Sequence, residues 1–249
     1  MMTNGILNRR TNDLSYPENF YMKPMHIKEL NRVVELQKYV YNNLPDKNVL
    51  FMDSYEEMFD DMKSGAKIIG VFNEANNLIA YRYISFPGLD SKSLAYDIDL
   101  PKSQMAKVVH LETTVVHPEY RGNALQSITL QYAAEEVETL GYRHLLCTVS
   151  PQNMFSLYNI MKNGLKIKAL KRKYSSSENP DGLWRFILHK DMAIESYNKP
   201  ISSYMSGLEN FDEQKGLIDR GYIGFNIFRE NRLLNYAKFG DVSYQGIPA

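Results

Sequence analysis

The sequence predicts an α/β protein of the mixed α+β kind, and two features carry that prediction. The first is a strand, tight turn and helix over residues 108–141. Val108 to Val116 is rich in β-branched residues, as strands prefer, and Pro118 has no N–H with which to continue a ladder. Leu125, Ile128, Tyr132, Ala133, Val137 and Leu140 then recur at helical spacing, and Gly141 stands where such a helix would stop. The second feature is the alternation of short β-rich runs with amphipathic stretches on both sides of this unit.

Residues 1–17 are polar and unpatterned and read as a loose N-terminal arm. Asn19 to Lys23 reads as a short strand. Pro24 to Leu44 carries Ile27, Leu30, Val33, Val34, Val40, Tyr41 and Leu44, an amphipathic helix stopped by Pro45. A second helix starts at Ser54, where Glu57 completes a capping box, and ends at Gly65. Ile68 to Phe72 and Leu78 to Phe86 read as a hairpin around the polar residues 73–77. Pro87 to Lys107 is a long insertion with a short helix expected between Ser91 and Leu100; long connections often carry function.

After the central unit, His144 to Val149 is an apolar strand. Ser150 and Pro151 open a helix striped by Met154, Leu157, Tyr158 and Met161, and Asn163-Gly164 closes it. Leu165 to Tyr174 and Leu183 to Leu188 are strands. The domain reading is therefore an arm at 1–17, a main domain at 18–192 and an extension at 193–249. In that extension Phe211 to Arg220 is a helix, and residues 222–239 form a hairpin suited to packing on the main domain or to pairing with a partner's sheet edge.

Composition narrows the function classes. The 249 residues carry 29 basic and 29 acidic side chains, so bulk charge gives no argument for nucleic acid or an anionic membrane. A lone Cys147 excludes an intramolecular disulfide framework and fits a reducing compartment; set within HLLCTV, it reads as packing rather than as a nucleophile. No apolar run approaches the roughly 20 residues needed to span a bilayer, and the polar start is unlike a signal peptide, so a cytoplasmic protein is expected. The five histidines show no metal-binding spacing, and no metal is expected.

The turn between strand and helix is where chemistry is expected. A helix leaves its first amides without intrahelical acceptors, and its dipole favours an anion there. Arg121 adds a cation, so Arg121, Gly122, Asn123, Ala124, Leu125 and Gln126 make a phosphate cradle. The segment VVHPEYRGNALQ resembles the acyl-CoA-binding motif of the GNAT N-acyltransferase superfamily: Arg or Gln, two residues, Gly, one residue, Gly or Ala. Arg121 matches, whereas Ala124 and Gln126 depart from the glycine-rich form. A second segment, SPQNMFSLYNIMKNGL, is similar to the family's later pattern, with Asn153, Tyr158 and Gly164 in place and Leu165 replacing an aromatic.

The resemblance covers about Asn19 to Met192, and its element order matches β-α-α-β-β-β-α-β-α-β-β. It implies the GNAT fold, a mostly antiparallel mixed sheet splayed at its centre with flanking helices. It further implies acetyl-CoA, or another acyl-CoA, as co-substrate and a small-molecule or peptide amine as acceptor. The backbone of Val115 and Val116 would hold the pantetheine arm, with Asn153 and Ser156 near the same arm, and Tyr158 would protonate the departing thiolate. Glu112 is the candidate base, acting through water because its reference pKa lies near 4.3; His110 is the rival. Simpler roles stand beside each: Tyr158 in a core stripe, Glu112 as a structural carboxylate. The alternative function is a non-catalytic acyl-CoA-binding or sensing module; a third is a structural protein. Nucleic-acid and membrane partners are not expected, and a homodimer is compatible with the sequence.

Overall fold

The computed structural model describes residues 3–11, 14–175, 177, 179–240 and 242–244. In chain order the elements are β1 (Thr3–Thr11), β2 (Leu14–Pro24), α1 (Leu30–Asn42), α2 (Tyr55–Lys63), β3 (Lys67–Asn73), β4 (Leu78–Ser85), β5 (Val108–Val116), α3 (Leu125–Thr139), β6 (His144–Val149) and α4 (Met154–Lys162). There follow β7 (Lys166–Lys173), β8 (Leu183–Asp191), β9 (Ile194–Tyr197), β10 (Ser202–Gly207), α5 (Phe211–Asp219), β11 (Ile223–Phe228), β12 (Leu233–Lys238) and β13 (Val242–Tyr244). Among the described residues, no helix is long and apolar enough to cross a membrane.

The chain divides into two compact units, residues 1–86 with 111–136 and residues 87–110 with 137–249. Strand β5 thus gives its first residues to the second unit and the rest to the first. In the first unit the strand order is β1-β2-β3-β4-β5. Helices α1 and α2 cover one core, in which Leu30, Val33, Leu36, Val40 and Met58 meet Ile68, Phe72, Tyr81, Tyr83 and Val115. A second cluster gathers Leu7, Phe20, Met22, Val71 and Ile79 with Tyr120 and Leu125, and Ile128 and Tyr132 of α3 pack against it. The α2 start forms as its sequence requires: Ser54 Oγ accepts from the Glu57 amide at 3.1 Å, and the Ser54 amide donates to Glu57 Oε2 at 3.0 Å.

Residues 3–11 are not a loose arm. They pair antiparallel with β2 in unbroken register from Thr3↔Met22 to Thr11↔Leu14. The polar sequence hides this strand because most of its side chains face water, and Leu7, at 3% exposed, is its main anchor in the core.

The second unit has the order β5-β6-β8-β7-β11-β12-β10, with β9 and β13 paired separately. Val108–His110 pair in parallel with His144–Leu146, whereas β6/β8, β7/β8, β11/β12 and β10/β12 are antiparallel. The insertion at 87–107 serves the core: Leu94, Ala95 and Met105 pack with Val108, Leu146, Ala169 and Ile187. Asp97 on the same segment binds Lys173 Nζ at 2.6 Å and Lys171 Nζ at 3.2 Å. The extension joins this unit rather than standing apart, since β11 meets β7 through Gly224↔Ile167. Only glycine fits there, because a Cβ at Gly224 would lie 2.7 Å from that of Ile167.

Two buried histidines cross-link this unit. His144 Nδ1 lies 3.0 Å from His189 Nε2, and His144 Nε2 lies 2.6 Å from Gln104 Oε1. With the His144 proton on Nε2, where it serves Gln104, Nδ1 accepts from His189. Burial drives the His189 pKa down to about 3 and lowers that of His144 as well.

Candidate functional site

The loop between β5 and α3 is built by its own sequence and pinned from outside. His117 Nδ1 accepts from the Glu119 amide at 3.3 Å, opening a single helical turn at Pro118–Tyr120. Tyr120 is buried; its hydroxyl donates to Glu18 Oε2 at 2.8 Å and accepts from Asn73 Nδ2 at 3.0 Å. The backbone then turns through two left-handed residues, Gly122 at φ 84° and Ala124 at φ 55°. From there α3 starts, with the Ser127 and Ile128 amides both donating to the Ala124 carbonyl at 2.8 and 3.0 Å.

Ala124 therefore holds a conformation that glycine adopts without cost. The sequence departs from the glycine-rich pattern, but the backbone keeps the geometry that glycine would serve. Buried Arg82 of β4 secures the helix start from below, donating from Nη2 to the Gln126 carbonyl at 2.9 Å and from Nε to Thr129 Oγ1 at 3.2 Å. Its charge adds to that of exposed Arg121 and to the helix dipole. The Asn123 side chain is committed elsewhere: Nδ2 donates to the carbonyls of Asn8 and Tyr120, and Oδ1 accepts from the Asn8 amide. Asn123 can thus contribute to a ligand only through its backbone.

Val115 and Val116 point their side chains into protein. Val115 belongs to the α1/α2 core, and Val116 packs against the cluster around Tyr120 and Leu125. With both side chains packed, main-chain atoms are what these two residues could offer a ligand.

Glu112 is exposed and accepts from Ser85 Oγ at 2.5 Å. Its neighbour Asp53, in the connection between α1 and α2, was not singled out from the sequence. Thr113 Oγ1 donates to Asp53 Oδ2 at 2.6 Å, and Gln37 Nε2 donates to the Asp53 carbonyl at 2.8 Å. Tyr81, fully buried, donates to Gln37 Oε1 at 2.8 Å. Burial lifts the Asp53 carboxyl to about 6, overcoming the Thr113 bond that lowers it, and the charges of Glu112 and Glu57 push it the same way. Tyr83 donates to Asp61 Oδ2, and burial together with that acceptor raises its pKa. The one signal for Asp53 in the sequence is an acid beside the Ser54 cap, which reads equally as helix-start chemistry.

His110 is buried in the second unit, where its Nε2 accepts from the Leu94 amide at 3.0 Å. It does not share the exposed environment of Glu112. Also in that unit, Asn153 caps α4, its Oδ1 accepting from the Ser156 amide at 3.1 Å. Tyr158 is half-buried, with the Arg229 guanidinium 4.9 Å over its ring and also 4.9 Å over that of Phe155. Met154 and Tyr158 of α4 and residues 228–232 of the β11–β12 turn wall a cavity of about 660 Å³. Cys147 is buried.

No protein-family model matches the chain, and no curated protein matches it in sequence. Solved structures do. A GNAT-family acetyltransferase from Streptococcus pneumoniae superposes with a TM-score of 0.52 at 16% identity, over 70% of this chain and 99% of that one. The chain has the GNAT fold. A GNAT-superfamily phosphinothricin acetyltransferase from Sinorhizobium meliloti, in complex with acetyl-CoA, gives 0.51 at 16% identity over 68% of this chain and 86% of that one. The ribosomal-protein-S18-alanine N-acetyltransferase of Escherichia coli gives 0.52 at 12% identity over 72% and 98%. The mixed, mostly antiparallel sheet with flanking helices agrees with the fold class read from the sequence.

Proposed function

We propose that this chain is a CoA-dependent N-acyltransferase that moves an acetyl group from acetyl-CoA to a primary amine by direct transfer in a ternary complex. The observation that carries the reading is the left-handed turn at Gly122 and Ala124, which presents the α3 N-terminus on a GNAT fold. A diphosphate fits this loop, because main-chain amides, Arg121 and the helix dipole all favour an anion there. The main chain at Val115 and Val116 would donate to the pantetheine arm and to the thioester carbonyl, an interaction worth on the order of 3 kcal/mol when it strengthens in the transition state. Asn153 has its oxygen engaged in capping α4, so its amide nitrogen is the atom left for the same arm.

For reaction the acceptor must lose a proton, and exposed Glu112 takes that role through water. The amine nitrogen bonds to the carbonyl carbon, the carbon–sulfur bond breaks, and Tyr158 gives its proton to the sulfur. Thiol release measured with acetyl-CoA and a panel of amines tests the whole reading. Glu112→Gln and Tyr158→Phe are each expected to lower kcat by about 10²-fold or more, with the acetyl-CoA KM little changed. Full activity in both variants would refute these roles. Ala124 and Gln126, which depart from the glycine-rich motif, favour one alternative: an acyl-CoA-binding sensor that binds CoA and releases no thiol with any amine.

A further inference from the structure

The N-terminal hairpin meets the loop through three consecutive residues of β1. Asn8 forms a two-way amide pair with Asn123, its N–H donating to Oδ1 and its carbonyl accepting from Nδ2, both at 2.8 Å. Arg9 Nε binds Glu119 Oε2 at 2.7 Å. Arg10 lies against Gly122: a Cβ built there would stand 3.1 Å from Nη1 and Nη2 and 3.2 Å from Cζ. Near-equal distances to all three atoms place the guanidinium face over the glycine rather than edge-on. Gly122 is glycine because of its φ of 84°, and the Arg10 guanidinium rests on the side where a Cβ would stand.

The three contacts differ in what they leave available. The Asn8 main chain and Arg9 Nε are engaged by their partners, and the Arg9 pair offsets the charge of the one acidic side chain of the turn, Glu119. Arg10 is exposed, and its contact with Gly122 is through the guanidinium face. Its N–H donors lie in the plane of the group, not on the face that meets Gly122, and Arg121, the residue before Gly122, is a second exposed cation of the loop. A planar fork of this kind matches phosphate oxygens bidentately.

We propose that Arg10 is a phosphate-binding residue, delivered by the β1–β2 hairpin to the loop at Gly122 and contacting the diphosphate of a nucleotide thioester. This rests on the acyl-CoA reading above and adds to it a binding group from a segment whose sequence reads as a loose arm. The hairpin then has a function beyond edge pairing: Asn8 and Arg9 fix its position so that the next residue supplies charge.

Calorimetric titration of the full chain with CoA and with dephospho-CoA, which lacks the 3′-phosphate but keeps the diphosphate, tests this. Arg10→Ala should weaken both ligands by about tenfold or more, Arg10→Lys should recover part of the loss, and the melting temperature should stay within a degree or so because the side chain is exposed. Equal binding by wild type and Arg10→Ala overturns the proposal. A loss confined to CoA with its 3′-phosphate overturns the assignment to the diphosphate. A loss that Arg10→Lys does not relieve, with a lowered melting temperature, makes the contact structural and also overturns it. Wild type that binds neither ligand removes the acyl-CoA reading itself, a failure read on a different protein from the others.

Discussion

Replacing Ala124 by glycine should stabilise this protein, although glycine ordinarily costs stability. At φ 55° the alanine Cβ crowds the following carbonyl, a penalty of about 1–2 kcal/mol for an L-residue in the left-handed region. Against this, glycine gains freedom in the unfolded chain worth about 0.4–1 kcal/mol. The methyl group is exposed, so little packing is lost on removing it. The net expectation is about 0.5–1 kcal/mol in favour of Ala124→Gly, and for a chain of this length each kcal/mol moves Tm by about 2–4 °C. Thermal and urea unfolding followed by circular dichroism should therefore show Tm rising by about 1–4 °C. Ala124→Val should fall by about 1 kcal/mol or more, because β-branching tolerates positive φ least. A lower or unchanged Tm for the glycine variant would refute the claim that this position is strained. The same substitution removes a methyl from the proposed diphosphate path, so CoA affinity should hold or improve.

Further outcomes follow from the buried titratable groups. The folded-state pKa of Asp53, about 6, lies above its ordinary value of 3.8, so ionisation opposes folding and stability rises as pH falls from 6 towards 4. Asp53→Asn keeps an acceptor for Thr113 and should stabilise the protein at pH 8 by an amount on the order of 3 kcal/mol; urea unfolding showing a loss at pH 8 would contradict this. For His189 the sign is opposite. Its folded pKa of about 3 lies below the ordinary 6.5, so the unfolded chain takes up protons first and stability is lost as pH drops from 6.5 towards 3. Between pH 7 and 4.5 this group should cost about 2.5 kcal/mol, and His189→Gln, which keeps a donor for His144, should lose that much less than wild type; identical losses in the two proteins would sink the argument.

Much of the central architecture was legible because its signals are local. Proline at 118, helical spacing from Leu125, the Ser54–Glu57 box and the Asn163-Gly164 stop each act within a turn or two of chain. The β1 strand was not legible, because strand pairing is satisfied by backbone groups and its side chains mostly face water. Asp53 and Ser85 escaped for a related reason. Neither has chemistry of its own in sequence, and each gains it from a residue far along the chain, Thr113 for Asp53 and Glu112 for Ser85.

By itself the sequence determined the strand–turn–helix unit, the neutral charge balance and the positions where a loop could hold an anion. These depend on residue identity and short-range periodicity, which a linear reading contains. Only the tertiary structure decided that Ala124 occupies a glycine conformation, that the Asn123 side chain is spent on β1, and that Arg10 comes to rest on Gly122. A dihedral angle, the commitment of a hydrogen-bonding group and the approach of two residues over a hundred positions apart are properties of the packed chain. They come into being only when the entropy of closing those long loops has been offset by burial around Leu7, Phe20 and Tyr120.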